Sequence, residues 1–170
     1  MSGTAVAMVL SAPESAHLSS LFTQFAELLS TEYAEDAAGD PALARLTPAA
    51  YTDDPEADAD FRRLTSDDLL DRRRDDVATV LTSLVNAGAT PPAEDKSASR
   101  EDVHLNLRTH EAQSWLRALS ALRLVLATRL GIADSDQAHT DDPRAGLYEW
   151  LGYRLDVLVH AMDEATTPSA

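Results

Sequence analysis

The chain has 170 residues, 44% of them hydrophobic, which predicts one globular domain with a single core. It contains no cysteine, which excludes disulfides, thiolate metal sites and cysteine nucleophiles. With 29 Asp and Glu against 14 Lys and Arg, the formal charge is −15, which disfavours nucleic acid and anionic membranes as partners, although a local basic patch leaves DNA contact open.

The first predicted element is a strand from Thr4 to Leu10, where apolar residues alternate loosely. This run is too short for the core of a signal peptide, and no later apolar run approaches the ~20 residues of a membrane span. We therefore expect a cytoplasmic protein with no membrane partner.

A helix is predicted directly after this strand. Ser11 and Glu14 have the spacing of a capping box, in which the two side chains satisfy amide groups of the first turn. The apolar residues that follow recur at three- and four-residue steps and form one stripe: Leu18, Leu21, Phe22, Phe25, Leu28 and Leu29.

The next stretch, 33–60, is interrupted by glycine and proline and predicts short helical turns joined by loops. A short helix is expected over 55–64. Ser66 then predicts the N-cap of a separate, longer helix that ends near Asn86 or Gly88, where glycine can adopt the left-handed conformation. The acidic run 53–60 lacks the glycine and the twelfth-position glutamate of an EF-hand, so helix capping explains it better.

The second half of the chain begins after a predicted mobile linker at 89–102, which mixes Pro, Ala, Ser and charge. The alternation in 103–107 predicts a second strand, and Thr109 predicts the cap of a helix that ends at Gly131.

The last predicted helix starts at Asp141-Asp-Pro143, because a cap residue there precedes a proline suited to the first turn. Its apolar face carries Leu147, Leu151, Leu155, Leu158 and Met162. The tail 165–170 is predicted to fray.

An internal repeat links the two strand-helix units. Met8, Leu10, Glu14, Leu18, Phe22, Phe25 and Leu29 each match a residue 97 positions later, from Leu105 to Leu126. We predict that the two strands pair antiparallel about a pseudo-twofold axis. The competing interpretation is that any two amphipathic units would align this well.

These elements predict a mainly α fold. We expect a single-domain helical bundle over residues 1–170, with about four main helices, shorter helical pieces and a minimal two-stranded antiparallel sheet of residues 4–10 and 103–107.

Arginines inside apolar helical patterns are the candidate functional residues. They are Arg73, Arg74, Arg123 and Arg129, and their candidate carboxylate partners are Asp71, Glu149 and Asp156. A buried guanidinium needs such partners because isolated charge burial is very costly. The arginines could form an anion pocket for a carboxylate or phosphate, or could snorkel to solvent or join helices through ion pairs.

Other sites are weakly indicated. Arg72-Arg-Arg74 could touch DNA, but aspartates surround it and no helix-turn-helix signature accompanies it. The histidines at 17, 104, 110, 139 and 160 form no close ligand set, so we expect no metal. No GxSxG, phosphate-binding glycine loop or dinucleotide fingerprint occurs, so we expect no catalytic residues and no cofactor. Trp115, Trp150, Tyr148 and Tyr153 are interpreted as core or interface residues.

Several segments together resemble DUF2017, an actinobacterial family of uncharacterised helical proteins. The most specific is WLRALSALRLVLATRLGI at 115–132, followed by YEWL at 148–151; further agreement lies at 45–51, 53–55, 61–65 and 68–69. The chain departs from the family at Ser120, where members often have Asn, and at Ala127, where they often have Gly. The resemblance implies a link with proteolysis, sulfur metabolism or stress regulation, since family genes commonly lie beside a Clp-protease adaptor gene and a cysteine-synthesis cluster.

From these observations we expect a non-enzymatic adaptor or regulatory protein that presents a helix face to a protein partner. One alternative is a transcriptional regulator, a label that some family members carry. The other is a binder of small anions that uses the arginines. Homo-oligomer formation stays open.

Overall fold

The computed structural model describes residues 5–30, 39–89, 101–132 and 141–167. Within these ranges the chain forms two strands, β1 (Ala5–Leu10) and β2 (Val103–Arg108), and five helices. The helices are α1 (Ala12–Leu28), α2 (Pro41–Leu46), α3 (Pro55–Asn86), α4 (Thr109–Arg129) and α5 (Pro143–Thr166). The mainly α fold with a minimal two-stranded sheet is therefore confirmed.

The two strands form one antiparallel sheet with alternating faces. Val6, Met8 and Leu10 of β1 are buried, as are Val103, Leu105 and Leu107 of β2, while the residues between them are exposed. This alternation explains why the segments fold as strands, since a period of two places one apolar face against the helices.

The register of the sheet agrees with the internal repeat. Met8 pairs with Leu105, which is also the residue 97 positions after it. An antiparallel pair in which a residue faces its own repeat equivalent has a local twofold axis at that pair. The predicted pseudo-twofold relation of the strands is therefore confirmed.

The core lies between the sheet and the helices. Trp115 of α4 is fully buried and packs edge-to-face against Phe22 of α1, with 6.2 Å between ring centroids. Helix α4 packs against α2, α3 and α5, while α3 also packs against α1. Helix α4 therefore contributes the largest fully buried side chain and contacts each of the other four described helices.

Most helix ends follow the sequence signals. The capping box of Ser11 and Glu14 starts α1, and Asp142 caps α5 ahead of Pro143. Gly88 and Gly131 have φ of +84° and +70°, the left-handed conformation that terminates helices.

One predicted cap is wrong: the N-cap of α4 is Arg108, not Thr109. The Arg108 amide donates to the Glu111 carboxylate at 2.8 Å, so Glu111 supplies the capping contact one residue earlier than predicted.

The predicted division of 55–64 from a helix capped by Ser66 is also wrong, because α3 is continuous from Pro55 to Asn86. Its N-cap is Asp54, whose carboxylate accepts the amides of Glu56 and Ala57. The Thr65 hydroxyl donates to the Phe61 carbonyl at 2.8 Å. This side chain therefore forms a hydrogen bond within the helix and does not interrupt it.

The linker and tail predictions fall partly outside the described residues. Of the predicted linker, 90–100 lies outside them, whereas Ala89 is buried and donates its amide to the Leu84 carbonyl. Helix α5 continues through Thr166, and Ala165 packs against the core, so the predicted tail begins too early; 168–170 lie outside the described residues.

In the described ranges, no helix combines the length and apolar character needed to cross a membrane.

Two leucines of α3 test the assignment of the core. Leu84 is fully buried, whereas Leu64 is 74% exposed on the same helix. We expect Leu84→Ala to lower the free energy of unfolding by about 2–5 kcal/mol, since it removes buried methyl groups and leaves a cavity. The matched variant Leu64→Ala should stay within about 0.5 kcal/mol of wild type. Urea denaturation measures both, and equal losses would contradict the burial pattern of α3.

Candidate functional site

An ion pair between a buried carboxylate and a half-exposed guanidinium joins α3 to α4. Asp76 of α3 is 5% exposed and accepts three hydrogen bonds from the Arg117 guanidinium, of which the shorter two run from Nε to Oδ2 at 2.9 Å and from Nη2 to Oδ1 at 2.7 Å. Arg117 Nη2 also lies 3.2 Å from the Ser114 hydroxyl, and the hydrogen bond with Asp76 raises the pKa of Arg117. This bidentate contact fixes the plane of the guanidinium.

A cavity of about 590 Å³ lies beside this pair, and we call it the arginine cleft. Its lining residues are Leu69, Arg72, Arg73, Asp75, Asp76 and Thr79 of α3 with Ser114 and Arg117 of α4. Arg72 and Arg73 form no ion pair with any residue in the described ranges. Three guanidinium groups against two carboxylates make the lining locally positive on a chain of charge −15. The cleft can therefore hold an anionic group through forked hydrogen bonds.

The structure brings only one of the predicted arginines, Arg73, into this cleft. Arg74 donates to the Leu29 carbonyl and forms an ion pair with Asp71. Asp71 is thus the one predicted carboxylate that pairs with a predicted arginine in the described residues. The contact with the Leu29 carbonyl joins α3 to the end of α1, so Arg74 has a structural role.

The two predicted arginines of α4 have different partners again. Arg129 forms an ion pair with Asp40 at 2.7 Å, linking α4 to the residue that caps α2. The Arg123 guanidinium lies 4.1 Å from the ring centroid of Tyr148 and packs against Gly152. The four predicted arginines therefore do not converge on one pocket.

Two predicted carboxylate partners contact none of these arginines. Glu149 and Asp156 are exposed on α5 and form no ion pair with described residues. An exposed carboxylate gains little by fixing an arginine, because solvent screens the pair.

A second charged contact joins α5 to the start of α1. Arg154 is buried and contacts the Glu14 carboxylate, and its Nη1 lies 3.4 Å from the Val9 carbonyl. Trp150 Nε1 lies 3.4 Å from the same carboxylate. Burial raises the pKa of Glu14, but hydrogen bonds from Ser11 and Arg154 outweigh that effect and lower the pKa to about 2. Glu14 therefore both caps α1 and neutralises a buried arginine.

Neither of these ion pairs, Asp76 with Arg117 and Glu14 with Arg154, was predicted from the sequence. For one of the four residues, Arg154, the sequence does contain a signal of burial. Arg154 lies three residues after Leu151 and four before Leu158, so helical spacing places it on the buried stripe of α5. No comparable signal exists for the pairing of Asp76 with Arg117, because they are 41 residues apart and on different helices.

The described residues contain no group of three or more side chains that could hold a metal ion. His17 instead packs edge-on against Trp150 at 5.7 Å, while His139 lies outside the described ranges. Of the aromatic residues interpreted as core or interface, Trp115 is buried and Tyr153 is exposed.

Comparison with known proteins gives one family. The model of the family described as Domain of unknown function (DUF2017) matches residues 1–162, in agreement with the resemblance in sequence. No curated protein and no solved structure matches the chain.

The Glu14 contact predicts a specific dependence of stability on pH. Because the folded state lowers the pKa of Glu14 from 4.5 to about 2, the stabilisation is present above pH 4.5 and is lost as the pH falls toward 2. We expect Glu14→Gln to reduce this loss, and at pH 7 to lower the free energy of unfolding by about 1–3 kcal/mol because Arg154 loses its counter-charge.

Denaturation in urea at a series of pH values measures this dependence. Glu149→Gln is the matched control, since Glu149 is exposed on α5 and forms no ion pair with described residues. If Glu14→Gln kept the wild-type slope between pH 4.5 and 2, the coupling of Glu14 to Arg154 would be disproved.

Proposed function

We propose that this chain, which belongs to the DUF2017 family, is a non-enzymatic adaptor or regulatory interaction protein that binds an anionic group of a protein partner in the arginine cleft. The observation that carries the proposal is the pairing state of the arginines. Arg117 is held by Asp76, whereas Arg72 and Arg73 line the same cavity without an ion pair in the described ranges.

The electrostatics of the cleft favour a group with two acceptor oxygens. A carboxylate or phosphate can accept forked hydrogen bonds from Arg72 and Arg73, which are stronger than bonds between neutral groups. Asp76 engages Arg117 from within the protein and so prevents that side chain from collapsing into the cavity. The net charge of −15 repels acidic partners from the rest of the surface. We therefore expect an acidic segment to bind only in the arginine cleft, where the lining is locally positive.

The cellular setting is proposed from the resemblance. We place the protein in the cytoplasm of an actinobacterium, in proteolysis, sulfur metabolism or stress response, because family genes commonly neighbour those of such systems.

A small anionic ligand is the second candidate for the same cleft. The volume of about 590 Å³ falls within the range of about 300–1,000 Å³ that is usual for small-molecule sites. Any ligand that binds only the folded state raises the melting temperature, so a rise with citrate or phosphate but none with a glutamate-rich peptide would indicate the small anion.

Binding to a labelled glutamate-rich peptide tests the main proposal. We expect the double variant Arg72→Gln/Arg73→Gln to weaken binding about tenfold or more, since each lost charge-assisted bond contributes about 1.5–3 kcal/mol. Fluorescence anisotropy at low ionic strength measures the affinity. The double variant Arg45→Gln/Arg63→Gln removes two exposed arginines outside the cleft and is the charge-matched control.

Equal weakening in both double variants would reject the cleft and leave only a general charge effect. Crosslinked capture from the host, with and without nuclease, then identifies the partner class. Nuclease-resistant capture that depends on Arg72 and Arg73 supports the adaptor. Enrichment of defined promoter DNA would instead favour the regulator, and stabilisation by citrate or phosphate without peptide binding would favour the small anion.

A further inference from the structure

The two halves of the molecule have equivalent strand-to-helix junctions. Ser11 caps α1 and its repeat equivalent Arg108 caps α4, each with a glutamate three residues later. In both junctions Oε2 of the glutamate accepts the cap amide, at 2.9 Å in Glu14 and 2.8 Å in Glu111. The offset of 97 residues that relates the strands therefore also relates the glutamates.

In the first half, this junction receives an arginine. Arg154 of α5 contacts Oε1 of Glu14 and donates to the Val9 carbonyl of β1. A strand carbonyl and a capping carboxylate thus form a receptor for one guanidinium, whose side chain is 10% exposed. The equivalent groups in the second half are the Asn106 carbonyl of β2 and Oε1 of Glu111.

The two residues that carry these groups border a cavity in the second half. Asn106 and Glu111 line a space of about 250 Å³, which we call the β2 cavity, together with His104 of β2 and Ser83 and Asn86 of α3. Helix α3 contributes small or neutral side chains here, where α5 contributes Arg154 in the first half. The receptor groups are therefore repeated, but the arginine from the neighbouring helix is not.

The β2 cavity also has suitable charge. An adjoining cavity of about 470 Å³ shares Ser83, Asn86 and Glu111 with it and adds Asp75, Arg108 and His110. Hydrogen bonds from Arg108 lower the pKa of Glu111, so its carboxylate is charged at neutral pH. Glu111 in the β2 cavity and Asp75 in the adjoining cavity together favour a cation beside β2.

The cation now on Glu111 is weakly held. Arg108 Nη2 donates to Oε1 at 2.9 Å, but the Arg108 side chain is 71% exposed. Exposed ion pairs of neighbouring residues contribute little to stability because solvent screens them. An incoming guanidinium can therefore displace the side chain of Arg108 while its backbone amide keeps the cap.

From this geometry we propose that the β2 cavity binds an arginine side chain of a partner protein, with the guanidinium between Oε1 of Glu111 and the carbonyl of Asn106. The internal contact of Arg154 with Glu14 and Val9 is the structural template. The occupant is an arginine-bearing segment, and its binding does not depend on the arginine cleft.

The test uses an acetylated, amidated tetrapeptide with one arginine, titrated into the full chain and followed by amide chemical shifts in NMR. We expect saturable shifts at Asn106, Glu111 and Ser83, and no such shifts with a peptide in which neutral citrulline replaces arginine. Glu111→Gln should weaken binding at least tenfold, because glutamine keeps the capping hydrogen bond but lacks the charge. Asp156→Asn is the control, since it removes one exposed carboxylate of α5 that lines neither cavity.

A second variant changes affinity in the opposite direction. Arg108→Gln removes the competing guanidinium and should bind the arginine peptide a few-fold more tightly, whether or not Glu111→Gln folds. Equal affinity for the arginine and citrulline peptides would overturn the proposal. Unchanged or weaker binding by Arg108→Gln, or equal weakening by Asp156→Asn and Glu111→Gln, would do the same.

Discussion

The antiparallel pairing of β1 with β2 is the constraint on which the rest of the structure depends. Each strand buries three apolar side chains, and burial is tolerable only because the backbone groups between them are paired. A two-stranded sheet is marginal by itself, so the helices that cover its apolar face are equally necessary. Because α1 and α4 start at capping residues directly after the strands, the register of the sheet also sets where these helices begin.

The pseudo-twofold relation is followed closely near the sheet and loosely away from it. Helix α5 reaches β1 through the buried guanidinium of Arg154, whereas α3 faces β2 across a cavity lined by Ser83 and Asn86. Helix α3 is also joined to α4 by the ion pair of Asp76 and Arg117. The arginine cleft and the β2 cavity are therefore both lined by α3. This helix departs from the pseudo-twofold arrangement because it has no equivalent of Arg154 at β2.

Local sequence patterns predicted the strands, the starts of α1 and α5 and the glycine terminators, because alternation, capping and left-handed φ depend on neighbouring residues. The continuity of α3 was missed, since Ser66 resembles a cap unless the hydroxyl of Thr65 is known to bond within the helix. Of the residues that line the proposed anion site, only Arg73 was among the predicted candidates. An ion pair between helices, such as that of Asp76 with Arg117, forms only if the two helices pack with these side chains toward each other. Packing of the whole core decides that orientation, and local sequence patterns do not.

The difference between the two glutamates has a thermodynamic origin. Arg154 reaches Glu14 from within the same folded chain, so folding of α5 already covers the entropy of bringing the groups together, and the pair can be buried. An arginine that arrives at Glu111 from another molecule must also lose translational freedom and displace Arg108. The same two receptor groups should then give a permanent contact in one half and a weak, reversible one in the other. Reversibility of this kind suits an adaptor, which must release its partner as well as bind it.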